Sequence, residues 1–299
     1  MQPLVSIIMP AFNCEKYISQ AIDSIINQTY KNFELLIADD CSSDNTKNIV
    51  DSYIDERIKR FHNERNLGYL QASNKLFALC KGNYITFQDA DDYSDIKRLE
   101  KLVFFLKNNP GIHAVGSNII KIDINNNYIY KSNFALTTEQ IKIAFKNYRT
   151  TFVGSALMLR KELLSEIGFY NIWFDRIGSE DIYMHSLILD NHQIANISEN
   201  LYYYRTNPQS VSITQTNSKS AIGHELIIEM YKRRQKGKED YLQTNNIKQL
   251  NKHVMLLLNI KVIKENKWRS LLCFFKNLLV NFSVSIYYFR QFMSELIHR

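Results

Sequence analysis

The chain has 299 residues, 45% apolar and 12% aromatic. That is enough for a sizeable core in one large domain, or one domain plus an appendage, and it excludes global disorder. The net charge of +7 is uneven: residues 219–299 hold 15 Lys and Arg against 6 Asp and Glu, a net +9, which leaves −2 on the rest. Cys14, Cys41, Cys80 and Cys273 form no C-x-x-C pair, so reduced thiols in a cytoplasmic protein are expected, with neither a disulfide frame nor a zinc site. The N-terminus runs straight into a strand pattern with no basic-then-apolar leader, and no run of about 18 uncharged apolar residues predicts a spanning helix.

Strand and helix patterns alternate through the first 110 residues. Val5 to Asn13 is a buried-strand run broken by Pro10. Tyr17, Ile18, Ala21, Ile22, Ile25 and Ile26 then recur at helical spacing. Phe33 to Ala38 is a second apolar run, and Ser43-Asp44 supplies N-cap chemistry for another helix. A short strand over Ile58 to His62, a helix over Gly68 to Cys80 and a strand over Tyr84 to Gln88 follow. Such alternation implies a Rossmann-like, mostly parallel α/β sheet flanked by helices on both faces.

The texture then changes. His113 to Asp123 and Tyr128 to Ser132 read as strands of a hairpin around Asn125-Asn126-Asn127. Thr137 to Lys146 reads as a helix, Thr151 to Leu159 as a buried strand, and Ser179 to Leu189 as a helix with acids in its first turn. Beyond about residue 218, Gly and Pro nearly vanish. Leu272, Phe275, Leu279, Phe282, Ile286, Phe289 and Met293 are spaced three and four apart, one apolar helical stripe. The sequence therefore divides at 217 into a domain and a basic, helical C-terminal extension. The stripe suits either packing on the body or a partner helix, or lying in an anionic membrane surface, with Lys264, Lys267, Arg269, Lys276 and Arg290 near the headgroups. No nucleic-acid motif appears, so nucleic acid is not an expected partner.

Two strands end in acids. Phe33 to Ala38 runs into Asp39 and Asp40, and Tyr84 to Gln88 runs into Asp89, Asp91 and Asp92. In an open α/β sheet, ligands bind outside the carboxyl ends of the strands. Three carboxylates within four residues repel one another unless a cation or water neutralises them. One reading is therefore a hard divalent cation held against substrate phosphates; the other is a solvated acidic turn capping the next helix. No G-x-G-x-x-G follows the first strand and no G-x-x-x-x-G-K-[ST] occurs, so dinucleotide and ATP-hydrolase readings lose their main support.

In order and spacing, VSIIMPAFN, Tyr17-Ile18, LLIADDCSSDNT, Asn66-Leu67-Gly68 and YITFQDADD resemble family 2 glycosyltransferases of the GT-A fold, over about residues 3–212. The resemblance implies a metal-dependent, inverting transfer of a sugar from a nucleotide-sugar donor, usually uridine-based, to a glycan or lipid-linked acceptor. The setting it implies is surface-polysaccharide synthesis at the inner face of a bacterial plasma membrane. It makes Asp91 the ligand of Mn²⁺ or Mg²⁺, with Asp89 on the metal or the ribose, and Asp40 the carboxylate that reads the base. Pro10, Ala11, Asn13 and Gly68 fall on the nucleotide side. Glu180-Asp181 resembles the family's ED motif, with Asp181 as general base and Glu180 as its helper, although acids there also simply complement the helix dipole. Tyr202 to Ser210 resembles the closing motif, in which Arg205 and Ser210 would reach the diphosphate. Asn207 stands where many members carry a His, which puts any metal or phosphate role of that position in doubt. His185 and His192 read as ordinary packing residues, and Tyr170 and Trp173 suit either sugar stacking or core packing. A nucleotidyltransferase and a degenerate, nucleotide-binding assembly partner are the alternatives.

Overall fold

A computed structural model describes residues 2–208, 210 and 220–265. Cys273 and the apolar stripe over 272–293 lie outside the described residues.

The N-terminal half follows the expected alternation. Strand β1 (Val5–Ala11) leads to helix α1 (Ile18–Ile26), β2 (Phe33–Asp39), α2 (Thr46–Ser52), β3 (Ile58–His62), α3 (Tyr69–Leu79) and β4 (Tyr84–Phe87). The helix expected at Ser43-Asp44 begins at Thr46, whose N–H donates to Asp44 Oδ1 at 3.0 Å. Strands β3-β2-β1-β4 are parallel neighbours. β1 and β2 read as continuous apolar runs because both sheet faces are covered. Val5, Ile7 and Met9 pack with α1, while Ile8 packs on the other side with Leu70, Leu76 and Phe77 of α3. Pro10 lies two residues beyond the last pairing of β1 with β4, Ile8 with Phe87, so β4 needs no N–H from it.

The second half departs from a mostly parallel sheet. After β5 (Tyr93–Ser94) and α4 (Arg98–Asn108) come β6 (Ile112–Ile122), β7 (Tyr128–Lys131), α5 (Thr138–Lys146), β8 (Met158–Arg160), α6 (Lys161–Ile167), α7 (Glu180–Asn191), β9 (Gln193–Arg205), α8 (Gly223–Arg234) and α9 (Ile247–Glu265). β8 lies antiparallel between β4 and β6, β9 runs parallel to β6, and β5 and β7 pair antiparallel at the margins. Parallel pairing thus covers the first four neighbours and recurs only between β6 and β9 among the described strands.

The predicted hairpin and the helix from Thr137 are present, the latter with a full capping box between Thr137 and Gln140. The strand expected over Thr151 to Leu159 is not. A 3-10 turn occupies Gly154–Ala156, and only Met158–Arg160 pairs. The apolar run is buried as expected, but Gly154 must turn against α7. The 13-residue β9 was not anticipated, because polar residues at Asn196, Ser198, Glu199 and Asn200 interrupt its pattern.

Helix α8 buries Leu226, Ile227, Ile228, Met230 and Tyr231 in the core shared with α3, α5 and α7. Arg234 ties it to α7: Nε donates to Asp190 at 2.5 Å, Nη2 to Ser186 Oγ at 2.8 Å, and Nη1 pairs with Asp240. Tyr183 donates to the same Asp240 carboxylate at 3.0 Å. No described helix is long and apolar enough to cross a membrane.

Candidate active site

The loops after β1, β2 and β4 meet at the carboxyl rim of the parallel strands. Asn13 (φ 48°) and Cys41 (φ 63°) hold left-handed backbone there, a conformation that costs energy in non-glycine residues and concentrates at functional loops. Asn13 joins the first two loops, since its N–H donates to Ser42 Oγ at 3.0 Å and its Oδ1 accepts from Ser43 N at 2.8 Å. Asp40 is buried and organises the loop before α3. It accepts from Asn63 Nδ2 (2.8 Å), Leu67 N (2.9 Å) and Gly68 N (2.8 Å), which leaves a carboxylate with about four acceptor sites room for little more than one further donor. Gly68 takes φ 89°, and Arg176 reaches across it to Asn66.

Asp89, Asp91 and Asp92 follow β4. Burial, with Asp91 adding, pushes Asp89 up to about 7. Burial also raises Asp91, and raises Asp92 far above the usual carboxylate range, with Asp91 and Asp89 adding to the latter. Asp89 and Asp91 keep a partly exposed edge, while Asp92 is buried. Tyr69 donates to Asp89 Oδ1 at 3.2 Å, and Asp89 N donates to the Tyr202 hydroxyl at 3.0 Å.

The closing segment grips this loop. Arg205 N donates to Asp92 Oδ1 (2.7 Å), Nε to Asp91 O (2.6 Å), Nη1 to Asp123 O (3.2 Å) and Nη2 to Gln20 Oε1 (2.8 Å). Its guanidinium also lies over the Tyr17 ring at 4.6 Å. Arg205 therefore acts as a rivet between β9, the acid loop and the β6–β7 turn. Asn207 does face the acids, with Nδ2 3.1 Å from Asp91 Oδ2. Ser210 N donates to Asn207 O at 2.9 Å.

Opposite stands the start of α7. Arg176 (φ 54°), Gly178 (φ 84°) and Ser179 (φ 73°) are all left-handed, so the chain coils tightly into Glu180 and Asp181. Glu180 is buried, its Oε2 has no hydrogen-bond partner, and burial, then Asp181, Asp89 and Asp175, push it up to about 8. Burial raises Asp181 as well, and Asp181 adds to the upward shift of Asp89. The acids after β4 and those at the start of α7 therefore share one electrostatic environment, with Tyr69 and Tyr170 feeling both sets. Tyr170 is core rather than exposed stacking surface, packed edge-on to Phe77, and Trp173 packs edge-on to Phe174. Buried His185 lies against Phe152, and burial lowers it to about 3. His192 packs against His113 and faces Glu166.

Two contributors escaped sequence reasoning. Gly154 lets Asp181 sit against the 3-10 turn: a Cβ there would lie 2.7 Å from Asp181 Oδ2 and 2.9 Å from its Cβ. An isolated Gly inside a strand-like pattern is the usual sign of such close approach. The second, Arg98, is fully buried beneath the acid loop. Nη1 donates to Phe87 O and Ser94 Oγ (both 3.0 Å), and Nη2 donates to Thr86 Oγ1 (2.7 Å) and Ser155 O (2.6 Å). A cation in the first turn of a helix opposes the dipole, and that was the available signal.

The donor set suits a hard cation supplemented by substrate. Among the described residues no group of three or more His, Cys, Asp or Glu could hold a metal. Asp89 and Asp91 alone leave most positions to phosphate oxygens and water, the arrangement Mg²⁺ and Mn²⁺ adopt with nucleotides. Their crowding, together with Asp92 Oδ2 lacking any hydrogen-bond partner, is relieved by a nearby positive charge.

A family model described as Glycosyl transferase family 2 matches residues 6–168, over half of the chain. The chain belongs to this family. It is a glycosyltransferase, and its fold is GT-A, so the nucleotidyltransferase and non-catalytic alternatives fall away. Glycosyltransferase GlyG of Streptococcus pneumoniae serotype 4 is 31% identical over 229 residues, 72% of this chain and 75% of that protein. The UDP-Glc:alpha-D-GlcNAc-diphosphoundecaprenol beta-1,3-glucosyltransferase WfaP of Escherichia coli is 30% identical over 76% of this chain and 92% of that protein. Among solved structures, TarS 1–349 of S. aureus in complex with UDP-GlcNAc aligns with a TM-score of 0.63 at 21% identity, covering 76% of this chain and 66% of that one. The mannosyltransferase PcManGT of Pyrobaculum calidifontis, with GDP-Man and Mn²⁺, aligns with a TM-score of 0.59 at 17% identity, over 94% of this chain and 81% of that one.

Buried Glu180 makes stability depend on pH with a definite sign. Its folded value of about 8 exceeds the ordinary 4.5, so the folded state holds the proton more tightly. This contribution is fully favourable below about pH 4.5 and is lost as pH rises toward 8. Melting profiles across pH 5–8 are therefore expected to be flatter for Glu180→Gln than for the wild type. Equal slopes would remove Glu180 as the source.

Proposed function

We propose that this enzyme is a metal-dependent, inverting glycosyltransferase that uses a UDP-sugar and a glycan or lipid-linked acceptor in cell-surface polysaccharide synthesis. The observation that carries the reading is that Asp89, next to Asp91 after β4, and Glu180 and Asp181 at the start of α7 lie close enough to raise one another's proton affinity. The UDP-GlcNAc in the TarS complex and the diphosphoundecaprenol acceptor in the name of WfaP support the donor and acceptor classes.

Pro10, Ala11, Asn13, Asp40 and Gly68 form the base and ribose side, and Asp91 with Asp89 holds the cation. Arg205 keeps the acid loop in place, with Ser210 on the diphosphate side. The cation supplies charge neutralisation at the diphosphate. Asp181 takes the proton of the acceptor hydroxyl as its oxygen bonds to the anomeric carbon. The bond from that carbon to the diphosphate oxygen breaks, and its electron pair leaves with the nucleoside diphosphate. A single displacement inverts the anomeric centre. Glu180, protonated near neutrality, offers an O–H donor to the acceptor. For the whole protein we place the reaction in the cytoplasm at the inner membrane face, with the basic segment 264–293 against anionic lipid.

Calorimetric titration of UDP, GDP, dTDP and CDP, with and without Mn²⁺, tests the donor side. UDP is expected to bind best and only with the cation. Asp91→Ala is expected to weaken it at least about tenfold, or about 1.4 kcal/mol. Metal-independent binding that survives this substitution would refute the assignment of Asp91.

A further inference from the structure

We propose that Tyr130, Lys121 and Tyr204 form a stacking shelf that holds a sugar ring of the acceptor glycan outside the catalytic cleft. This rests on the glycosyl-transfer reading above and extends it to an acceptor subsite. Register places the three side chains abreast across β7, β6 and β9, with Lys121 paired to Tyr130 on one side and Tyr204 on the other. The Lys121 ammonium lies 5.7 Å from the Tyr130 ring centroid and 5.6 Å from that of Tyr204. A cation shared by two rings in this way fixes both.

The outer end of the shelf, at Tyr130, is exposed, while Lys121 and Tyr204 are half-buried. All four residues of β7 are exposed, Tyr130 by 46%. It is also continuous with the reacting centre. Tyr204 packs with Val153 and Phe134 on the small cluster of Ile119, Ala156 and Tyr202. Val153 precedes Gly154, against which Asp181 sits, and the Tyr202 hydroxyl receives Asp89 N. Tyr204 and the residue before Gly154 thus rest on one small cluster.

The chemistry suits a saccharide. The C–H face of a pyranose is weakly positive and complements the negative face of an aromatic ring. Two other occupants fit less well. The hairpin tip is Asn125-Asn126-Asn127, bonded back to Asp123, and a polar tip is unsuited to entering lipid. β7 has only four residues and ends in Lys131, a short, charged edge of the kind that discourages pairing with a second copy.

The test uses the full chain and a panel of glucose, galactose and N-acetylglucosamine saccharides of one to four units, with α- and β-linked tetrasaccharides. Binding is followed by NMR titration in the presence of UDP and Mn²⁺. At least one tetrasaccharide is expected to bind about tenfold more tightly than its monosaccharide. Tyr130→Ala is expected to abolish that gain and Tyr130→Phe to preserve it, with UDP affinity equal in all three proteins. No length dependence across the panel, or a gain that survives Tyr130→Ala, would overturn the shelf. So would a Tyr130→Ala protein altered only in sedimentation or in binding to anionic vesicles. Failure of UDP to bind the wild type would instead count against the donor reading.

Discussion

Asp181→Asn is expected to lower transfer by about 10²–10⁴-fold, the usual contribution of a positioned general base, while UDP affinity stays within about twofold. The substitution is nearly isosteric, so the 3-10 turn at Gly154 and the N-terminus of α7 keep their packing. The amide retains an acceptor oxygen for Ile182 N, which donates to Asp181 Oδ1 at 2.7 Å, but it cannot accept a proton. Removing one negative charge from the cleft also eases ionisation of Asp89, whose upward shift Asp181 augments, so donor binding is not expected to weaken. Turnover with full kcat would refute the assigned base. Loss of both UDP binding and turnover would indicate a structural role instead.

The second large effect is expected at Arg98. Its guanidinium is completely buried, yet it donates to both ends of the acid loop and to Ser155 O. It also lies over Tyr202 at 4.9 Å. Burial lowers it to about 10, and Tyr202, Asp89 and Asp92 pull it back up, so it is charged at neutral pH. Arg98→Met would strand four buried acceptors and remove a positive charge from beneath the acid loop. Leaving a buried acceptor unsatisfied costs about 1–3 kcal/mol, so a loss of at least that size is expected in urea denaturation. Arg98→Lys keeps the charge but not the planar fork, so it is expected to fall between. A Met variant as stable as the wild type would show that the acids need no internal counter-charge.

Much of this architecture is legible in the chain. The apolar runs ending in Asp39–Asp40 and in Asp89–Asp92, the helix phase over 17–26 and the Asn-rich hairpin turn all depend on residues within about ten positions, and all appear where expected. The ED pair at the start of α7 was equally plain. Less legible was what the second half does with its strands. β9 carries polar residues because parts of it lie open beside β6, which blurs the alternation. The run over 151–159 is apolar because it is buried, not because it pairs throughout.

By itself the sequence determined a nucleotide-type α/β sheet, the rim that carries its acids and the family to which they belong, because strand period and loop chemistry are local properties. Only the tertiary structure decided which distant residues hold the acid loop in place. Arg98 and Ser155 are 57 positions apart, and Arg205 and Asp91 are 114 apart. Nothing in a local pattern brings such pairs together. Their contact follows from the order in which β4, β8, β6 and β9 are laid side by side.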